Sequence, residues 1–238
     1  MILLLLLGII ILWFGPSEIA DSNIYIGKST RDIYDHIALL DHWSLSAQSW
    51  NYPDGGSLVP PDLFCMIIAY PFLSLGQGVA FDIAVVLQMW LNCIAGWLLG
   101  RHFGSGMIGA VALGFSPYLL GQVNSGEMET LSLWPLALMF LKLAQGRPLW
   151  AGGWAAITAI GSWYYGAYAA ILLTLWCAMQ WYWTRNKHFW QGIAVFAGMI
   201  SGPAWIYARF LDSDDQMFRG PDMETYLREQ PRALAGFS

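Results

Sequence analysis

The chain has 238 residues, of which 57% are hydrophobic and 11% are charged, and fourteen are tryptophan. Soluble domains carry about 25% charged residues, so this composition excludes a water-covered surface and predicts a protein of the lipid bilayer. The net charge of −5 offers no basic surface for phosphates and argues against nucleic acid as a partner. Cys65, Cys93 and Cys177 stand in apolar stretches without a common spacing, which predicts buried apolar side chains and neither a disulfide nor a zinc site.

The first apolar run, residues 1–14, carries no charge and is shorter than the roughly 20 residues that cross a bilayer. It is predicted to be a first transmembrane helix. A secretory signal peptide with a cleavage site near residues 17–20 is the alternative, although the basic segment that begins such peptides is missing. In both cases the following segment, 15–78, is predicted to be an extracytoplasmic loop.

Six further apolar segments predict a six-helix transmembrane module at 79–210, with spans at 79–100, 104–122, 130–144, 150–163, 165–183 and 189–210. Residues 63–75 are also apolar, but they are too few to span and contain Pro71, which favours a helix at the interface. The predicted fold class is therefore all-α, a polytopic membrane protein with about seven transmembrane helices. A polar extracytoplasmic tail, 211–238, follows the last span.

The distribution of charge predicts the orientation. If residues 63–75 do not span, the inner loops contain only basic charged residues: Arg101, Lys142, Arg147, Arg185 and Lys187. All sixteen acidic residues then lie outside or at the outer end of a helix, as Asp82 does. Because lysine and arginine are enriched in cytoplasmic loops, the sequence predicts an integral inner (plasma) membrane protein with a cytoplasmic N-terminus.

Aromatic residues and glycines agree with this arrangement. Tryptophan and tyrosine cluster at 181–183, beside the inner basic residues, and at 163–165, at a predicted outer turn. Amphipathic rings favour the headgroup level, so these clusters are predicted aromatic belts. Glycines within 104–114 and 192–202 are predicted to allow close helix packing, which in lipid depends on small residues.

Two amphipathic surface helices are predicted in the first outer loop, at about 30–43 and 62–75. In the first, apolar residues recur at helical spacing as one stripe: Ile33, Ile37, Leu40 and Trp43. Asp32, Asp35 and His36 share the opposite, polar side. A Pro-Asp-Gly-Gly turn at 53–56 separates the two helices.

These carboxylates allow two interpretations. A carboxylate at a low-dielectric boundary can act as a general base or can bind a divalent cation such as Mg²⁺ or Mn²⁺; the alternative is the solvated face of an interfacial helix. His36 and His42 do not share a helical face, so no metal site is assigned there. Glu127 and Glu129, in the short second outer loop, either complement a helix dipole or face the first-loop acids across a shared cavity.

Together these features resemble the polytopic glycosyltransferases of the GT-C fold, which include protein O-mannosyltransferases and aminoarabinose transferases. The resemblance rests on an inside N-terminus, a long acidic first loop with two surface helices, the second opened by the residues 60–63 (PPDL), and the run at 115–139 (FSPYLLGQVNSGEMETLSLWPLALM). It covers most of residues 1–210. It is carried by order and topology more than by any single motif.

The resemblance implies transfer of a sugar from a polyprenyl-phosphate donor to an extracytoplasmic acceptor. Asp32 or Asp35 would be the catalytic base, although the adjacent acidic pair usual in the family is absent because Ile33 and Tyr34 separate the two acids. The remaining substrate-binding candidates on the outer side are Arg31, His36, Glu127, Glu129, Arg209 and Arg219. Arginine is favoured over Lys28 for the donor phosphate because a guanidinium binds phosphate bidentately.

Family members usually continue through several more spans, so the chain is expected to be a fragment or a reduced protein, with an outer loop cut short at 211–238. The alternatives to a transferase are a transporter subunit and a non-enzymatic membrane scaffold. The transporter is disfavoured because no predicted span has a charged residue near its middle. The sugar, the acceptor and the oligomeric state are not specified by the sequence.

Overall fold

The structure is a computed structural model that describes residues 2–21, 26, 63–125, 130–185 and 187–213. Within these ranges all regular structure is helical, which confirms the predicted all-α class. The α-helices are α1 (Ile2–Phe14), α2 (Pro16–Ile19), α3 (Leu63–Ala69), α4 (Gln77–His102), α5 (Gly106–Gly114), α6 (Pro117–Ser125), α7 (Trp134–Ala144), α8 (Pro148–Gly161), α9 (Trp163–Thr184) and α10 (Trp190–Ser213). Short 3-10 helices cover Tyr70–Leu75 and Lys187–Phe189.

Two of the described helical segments are long and apolar enough to cross a membrane. They are Gln77–His102, with 26 residues, and Gly106–Asn124, with 19 residues. The structure has helices at each of the six spans predicted within 79–210, whereas two helical segments of the described residues meet the criteria for crossing a membrane and not seven.

The second of these segments is interrupted near its middle. Helix α5 ends at Gly114 and α6 begins at Pro117. Proline has no backbone N–H and its ring clashes with the carbonyl four residues earlier, so a continuous helix is broken there. Ser116 caps the new helix, since its hydroxyl accepts a hydrogen bond from the Leu119 N–H at 3.2 Å.

Helix α4 is the centre of the first half of the molecule, where α1, α3, α5 and α7 pack against it. Leu6 and Ile10 of α1 are buried in this core, and the indole of Trp90 on α4 donates to the Leu3 carbonyl at 2.9 Å. Helix α5 approaches even more closely: a Cβ atom placed at Gly109 would lie 2.2 Å from the carbonyl oxygen of Gly96. Absence of side chains therefore permits the contact between the two backbones.

The glycine prediction is met in part. Gly106, Gly109, Gly114 and Gly192 do lie against neighbouring atoms, whereas a side chain at Gly104, Gly198 or Gly202 would have open space. The partners on the facing helices were not predicted: Gly96, Gly100 and Gly152. These three glycines lie within segments that the sequence predicts only as apolar spans.

The second half, α7 to α10, is a set of antiparallel helices joined by short turns. Gly152 near the start of α8 touches Gly192 near the start of α10, so both helices begin at the same end. The turn before each of them therefore lies at that end too. The predicted inner basic residues Arg147, Arg185 and Lys187 lie in these connections, and Lys142 lies in the last turn of α7 before the first of them.

Helix α3 and the following 3-10 helix occupy the segment predicted to lie at the interface. Pro71 stands in the first turn of the 3-10 helix, where the α-helix has ended. Cys65, Met66 and Ala69 are buried against α4, so one face of this segment belongs to the core. Cys65, Cys93 and Cys177 are all buried, as predicted.

Candidate functional site

Most of the predicted site lies outside the described residues. This applies to Arg31, Asp32, Asp35, His36, Glu127, Glu129 and Arg219, and to the first surface helix at about 30–43. Arg209 belongs to α10, but its side chain is not described. The described polar residues beside these segments form the framework of the candidate site.

Asp82 connects Ile26, in the segment 15–78, to the helices. It stands in the second turn of α4, is fully buried, and accepts a hydrogen bond from the Ile26 N–H on Oδ1 at 2.8 Å. Its Oδ2 has no hydrogen-bond partner in the part of the chain that the structure describes. Ile26 precedes the predicted catalytic residue Asp32 by six residues in the sequence.

A second polar connection surrounds the irregular stretch between α6 and α7. The carbonyl of Thr130 accepts from the Tyr165 hydroxyl at 2.7 Å, and the next carbonyl, Leu131, accepts from Asn92 Nδ2 at 2.7 Å. The Leu131 carbonyl also accepts from the Leu133 N–H at 3.0 Å, and buried irregular backbone draws on side chains as further hydrogen-bond partners. Helices α4 and α9 supply them here, one residue after the predicted site residue Glu129.

Helix α6 joins the same network. The Thr130 hydroxyl donates to Gln122 Oε1 at 3.1 Å, and the hydroxyls of Tyr118 and Tyr165 lie 3.2 Å apart. Tyr165 is held in place because Ser162 caps α9 and accepts from the Tyr165 N–H. The stretch beginning at Thr130 is therefore bonded to three helices.

Beside this network lies a row of aromatic rings. The indole of Trp134 donates to Gln88 Oε1 at 3.0 Å. Its ring centroid lies 5.2 Å from that of Phe64 on α3 and 5.9 Å from that of Trp154 on α8. Trp134 thus joins three neighbouring helices and is itself only partly buried.

The basic residues at helix ends stack on aromatic rings. The guanidinium of Arg101 lies 5.2 Å from the Trp97 ring centroid, and that of Arg185 lies 5.6 Å from Trp181 and 5.7 Å from Tyr182. Such cation–π pairs retain a charge beside an amphipathic ring. The arrangement fits the predicted inner aromatic belt.

The outer aromatic cluster is divided. Tyr164 is 68% exposed, as a belt residue would be, but Tyr165 is 6% exposed and hydrogen-bonded in the interior. Gln88 and Asn92 were not predicted as site residues, because only charged residues within the spans were taken as candidates. An amide inside an apolar run was the available signal, since buried amides require specific partners.

No cluster of three or more His, Cys, Asp or Glu side chains able to hold a metal ion occurs among residues that the structure describes. Asp32 and Asp35, the acids for which binding of Mg²⁺ or Mn²⁺ is one prediction, lie outside them. Comparison with protein-family models, characterised proteins and solved structures found no match to this chain.

Proposed function

We propose that the chain is a seven-span membrane protein that transfers a sugar from a polyprenyl phosphate to an acceptor on the outer face of the membrane. The observation that carries the proposal is the pair of polar connections at Asp82 and Thr130. Each holds the chain directly beside one of the two acidic segments. Helix α5 packs along α4 back from the turn at 103–105, and Leu119 and Val123 of α6 are buried in the same core as Phe81 and Val85 near the start of α4.

The exposed face of α9 supports the membrane part of the proposal. This helix has 22 residues, none of them charged, and reaches about 33 Å at 1.5 Å per residue. Its exposed side is aliphatic in the middle and aromatic towards both ends: Tyr164, Tyr168, Ile171, Leu172, Leu175, Met179, Tyr182 and Trp183. That pattern is typical of a lipid-facing span with interfacial belts.

The chemistry follows from the resemblance to GT-C transferases. Asp32 or Asp35 removes a proton from the acceptor nucleophile, which forms a bond to the anomeric carbon of the sugar. The bond from that carbon to the phosphate oxygen breaks, and its electron pair leaves with the polyprenyl phosphate. Arg31, Arg209 and Arg219 are assigned to this phosphate, where guanidinium groups offset the charge that develops.

The direct test measures consumption of donor. Membranes containing the full chain are incubated with radiolabelled polyprenyl-phosphate-linked glucose or mannose, and the released polyprenyl phosphate is quantified. Loss of a general base lowers rates by about 100-fold or more, so Asp32→Asn or Asp35→Asn is expected to do so at unchanged protein level. Asp41→Asn, in the same loop, is the matched control.

The transferase proposal is contradicted if all three variants consume donor at the wild-type rate. It is also contradicted if the wild type consumes no donor above background. The topology is tested separately with a membrane-impermeant maleimide on intact cells. Ser46→Cys is expected to react at once and Gln145→Cys only after permeabilisation. Labelling of both, or of Gln145→Cys alone, contradicts the proposed orientation.

A transporter is the second candidate, favoured by the break between α5 and α6 and by the buried amides Gln88 and Asn92. Interrupted helices and polar groups at mid-membrane depth are typical of transport sites. If the chain transports, reconstituted vesicles would accumulate a solute without consuming donor. A non-enzymatic scaffold would do neither.

A further inference from the structure

Two connections bring four cationic side chains to one end of the second half of the molecule. Gly152 of α8 meets the backbone of Gly192 of α10, so the turn before each of these helices lies at this end. The 3-10 helix Lys187–Phe189 packs against α8, α9 and α10 there. We call this end the basic surface, after its four cationic residues: Lys142, Arg147, Arg185 and Lys187. All of them except Lys142 are exposed.

The chain supplies no acidic residue to balance these charges from the second half. Residues 130–211 contain neither aspartate nor glutamate. Helices α3 and α4 pack against α8 and α7, and the one acid that they contain, Asp82, bonds to Ile26 in the second turn of α4. Helix α8 begins at the basic surface without a side-chain cap, so its first N–H groups add to the positive potential. Charges of one sign repel each other, and an anion bound here is therefore expected to stabilise this end.

Ring contacts hold the second of the two connections in place. The Arg185 guanidinium stacks on Trp181, whose ring centroid lies 6.3 Å from that of Trp190 at the start of α10. The thiol of Cys177 donates to the Phe189 carbonyl at 3.1 Å, which ties the 3-10 helix to α9. The connection that carries two of the four cations is therefore fixed between α9 and α10.

The surroundings of the basic surface favour a lipid over a free anion. Three strongly exposed aromatic side chains stand next to the cations: Trp150, Tyr182 and Trp183. Such rings prefer the headgroup level of a bilayer, where the phosphates of phospholipids also lie. The exposed face of α9, which ends at this surface, is uncharged and aliphatic in its middle. A ligand with both a phosphate and acyl chains covers the charged and the apolar parts together, whereas free phosphate covers the charged part alone.

We propose that the basic surface binds the headgroup phosphate of an anionic phospholipid, such as phosphatidylglycerol, whose acyl chains lie along α9. The proposal rests on the membrane part of the proposed function and does not depend on sugar transfer. Helix α8 has 14 residues and is about 20 Å long. At its other end Ser162 caps α9 and Tyr165 bonds to Thr130. The lipid site is therefore separate from the candidate functional site.

Binding of lipid to the purified full chain in a neutral detergent tests the proposal. Native mass spectrometry measures the Kd for phosphatidylglycerol and for phosphatidylcholine with the same acyl chains, and the wild type is expected to prefer phosphatidylglycerol. A cation beside anionic lipid contributes about 1 kcal/mol, which is about fivefold in Kd. Arg147→Gln is thus expected to raise the Kd for phosphatidylglycerol about fivefold, and Arg147→Gln with Lys187→Gln about 25-fold. Binding of phosphatidylcholine should stay unchanged.

Arg101→Gln is the matched control, because it also removes a guanidinium stacked on a tryptophan but lies at the end of α4, outside the basic surface. Equal weakening in Arg101→Gln and Arg147→Gln overturns the proposal, as does equal affinity of the wild type for the two lipids. Displacement of phosphatidylglycerol by millimolar inorganic phosphate would show a site for free phosphate and would also overturn it. The measurement uses no sugar donor, so its failure and a failure of the donor assay are distinguishable.

Discussion

Helix α4 makes two different kinds of contact along its length. In its second half, Gly96 and Gly100 let the backbone of α5 approach until only hydrogen atoms separate the chains. Around its middle, Gln88 and Asn92 instead reach out to Trp134 and to the carbonyl of Leu131. One region associates through the absence of side chains and the other through polar side chains.

The difference follows from the partner backbone. The backbone hydrogen bonds of helix α5 are formed within the helix. Its association with α4 therefore depends on van der Waals packing, which small residues allow to be close. The stretch before α7 is not helical, so its carbonyls need outside donors. Asn92 therefore marks a place where the neighbouring backbone is irregular, whereas Gln88 meets a side chain of helix α7.

The glycine contact is expected to be the most sensitive to change. In Gly109→Val the new side chain meets the Gly96 carbonyl and the backbone of Gly100, neither of which can move aside. We expect a loss of about 3 kcal/mol in stability, at the upper end of overpacking effects, measured by thermal unfolding in detergent. Gly121→Val, in helix α6, is the control because a side chain at this position has open space. Equal losses of stability in the two variants would show that the effect of Gly109→Val does not come from the glycine contact.

The polar region is tested by Tyr165→Phe. The substitution keeps the ring and removes the hydroxyl that donates to Thr130, so a buried carbonyl loses a donor. Hydrogen bonds of this kind contribute about 1–2 kcal/mol. Tyr164→Phe removes an exposed hydroxyl and is expected to leave the unfolding midpoint unchanged. A similar fall of the midpoint in both variants would show that the hydrogen bond to Thr130 is not its cause.

The hydrogen bond from the Ile26 N–H to Asp82 is expected to stabilise the segment around Ile26 more than the helical bundle. Asp82→Ala removes the acceptor for the Ile26 N–H and also an uncompensated buried oxygen, so Tm is expected to change little. Trypsin cleavage at Lys28 and Arg31 is expected to accelerate about tenfold, which corresponds to about 1.4 kcal/mol. Asp82→Asn keeps an acceptor and should be cleaved at the wild-type rate, whereas cleavage as fast as in Asp82→Ala would show that charge, not the hydrogen bond, holds the loop.

The smallest effect is expected at the basic end of the bundle. Arg185→Lys keeps the charge but loses the flat guanidinium over Trp181 and Tyr182. Exposed cation–π contacts contribute about 0.5–1 kcal/mol, so a small fall in the unfolding midpoint should be detectable. Lys187→Arg is the control, and a larger fall there would contradict a stacking role for Arg185.

Helix positions were predictable because apolar runs are bounded by local signals that a sequence displays. Pro117 and Pro148 each stand in the first turn of a helix, and Ser162 caps another. Residues 104–122 were predicted as one span although they contain Pro117, a residue that can break a helix, and the structure divides the span there. Hydrophobicity outweighed the proline signal in that prediction.

The polar framework was not predictable in the same way. Asn92 and Leu131 are separated by 39 residues, and Tyr165 and Thr130 by 35. Which helix meets which loop depends on tertiary packing, and neither propensity nor periodicity encodes it. Asp82 was correctly predicted to lie near a helix end. Its partner is the backbone N–H of Ile26, and the apolar side chain of Ile26 gives no sequence signal for this contact.

The long-range amide bonds have a consequence for synthesis in the membrane. When the ribosome has made Asn92, its partner carbonyl at Leu131 is still 39 residues away, or roughly 2–8 s at translation rates of about 5–20 residues per second. The partner side chain of Gln88, Trp134, is made later still. If the proposed spans are inserted in chain order, α4 is made before its polar partners, and both amide bonds form only when the segment leading into α7 has followed it.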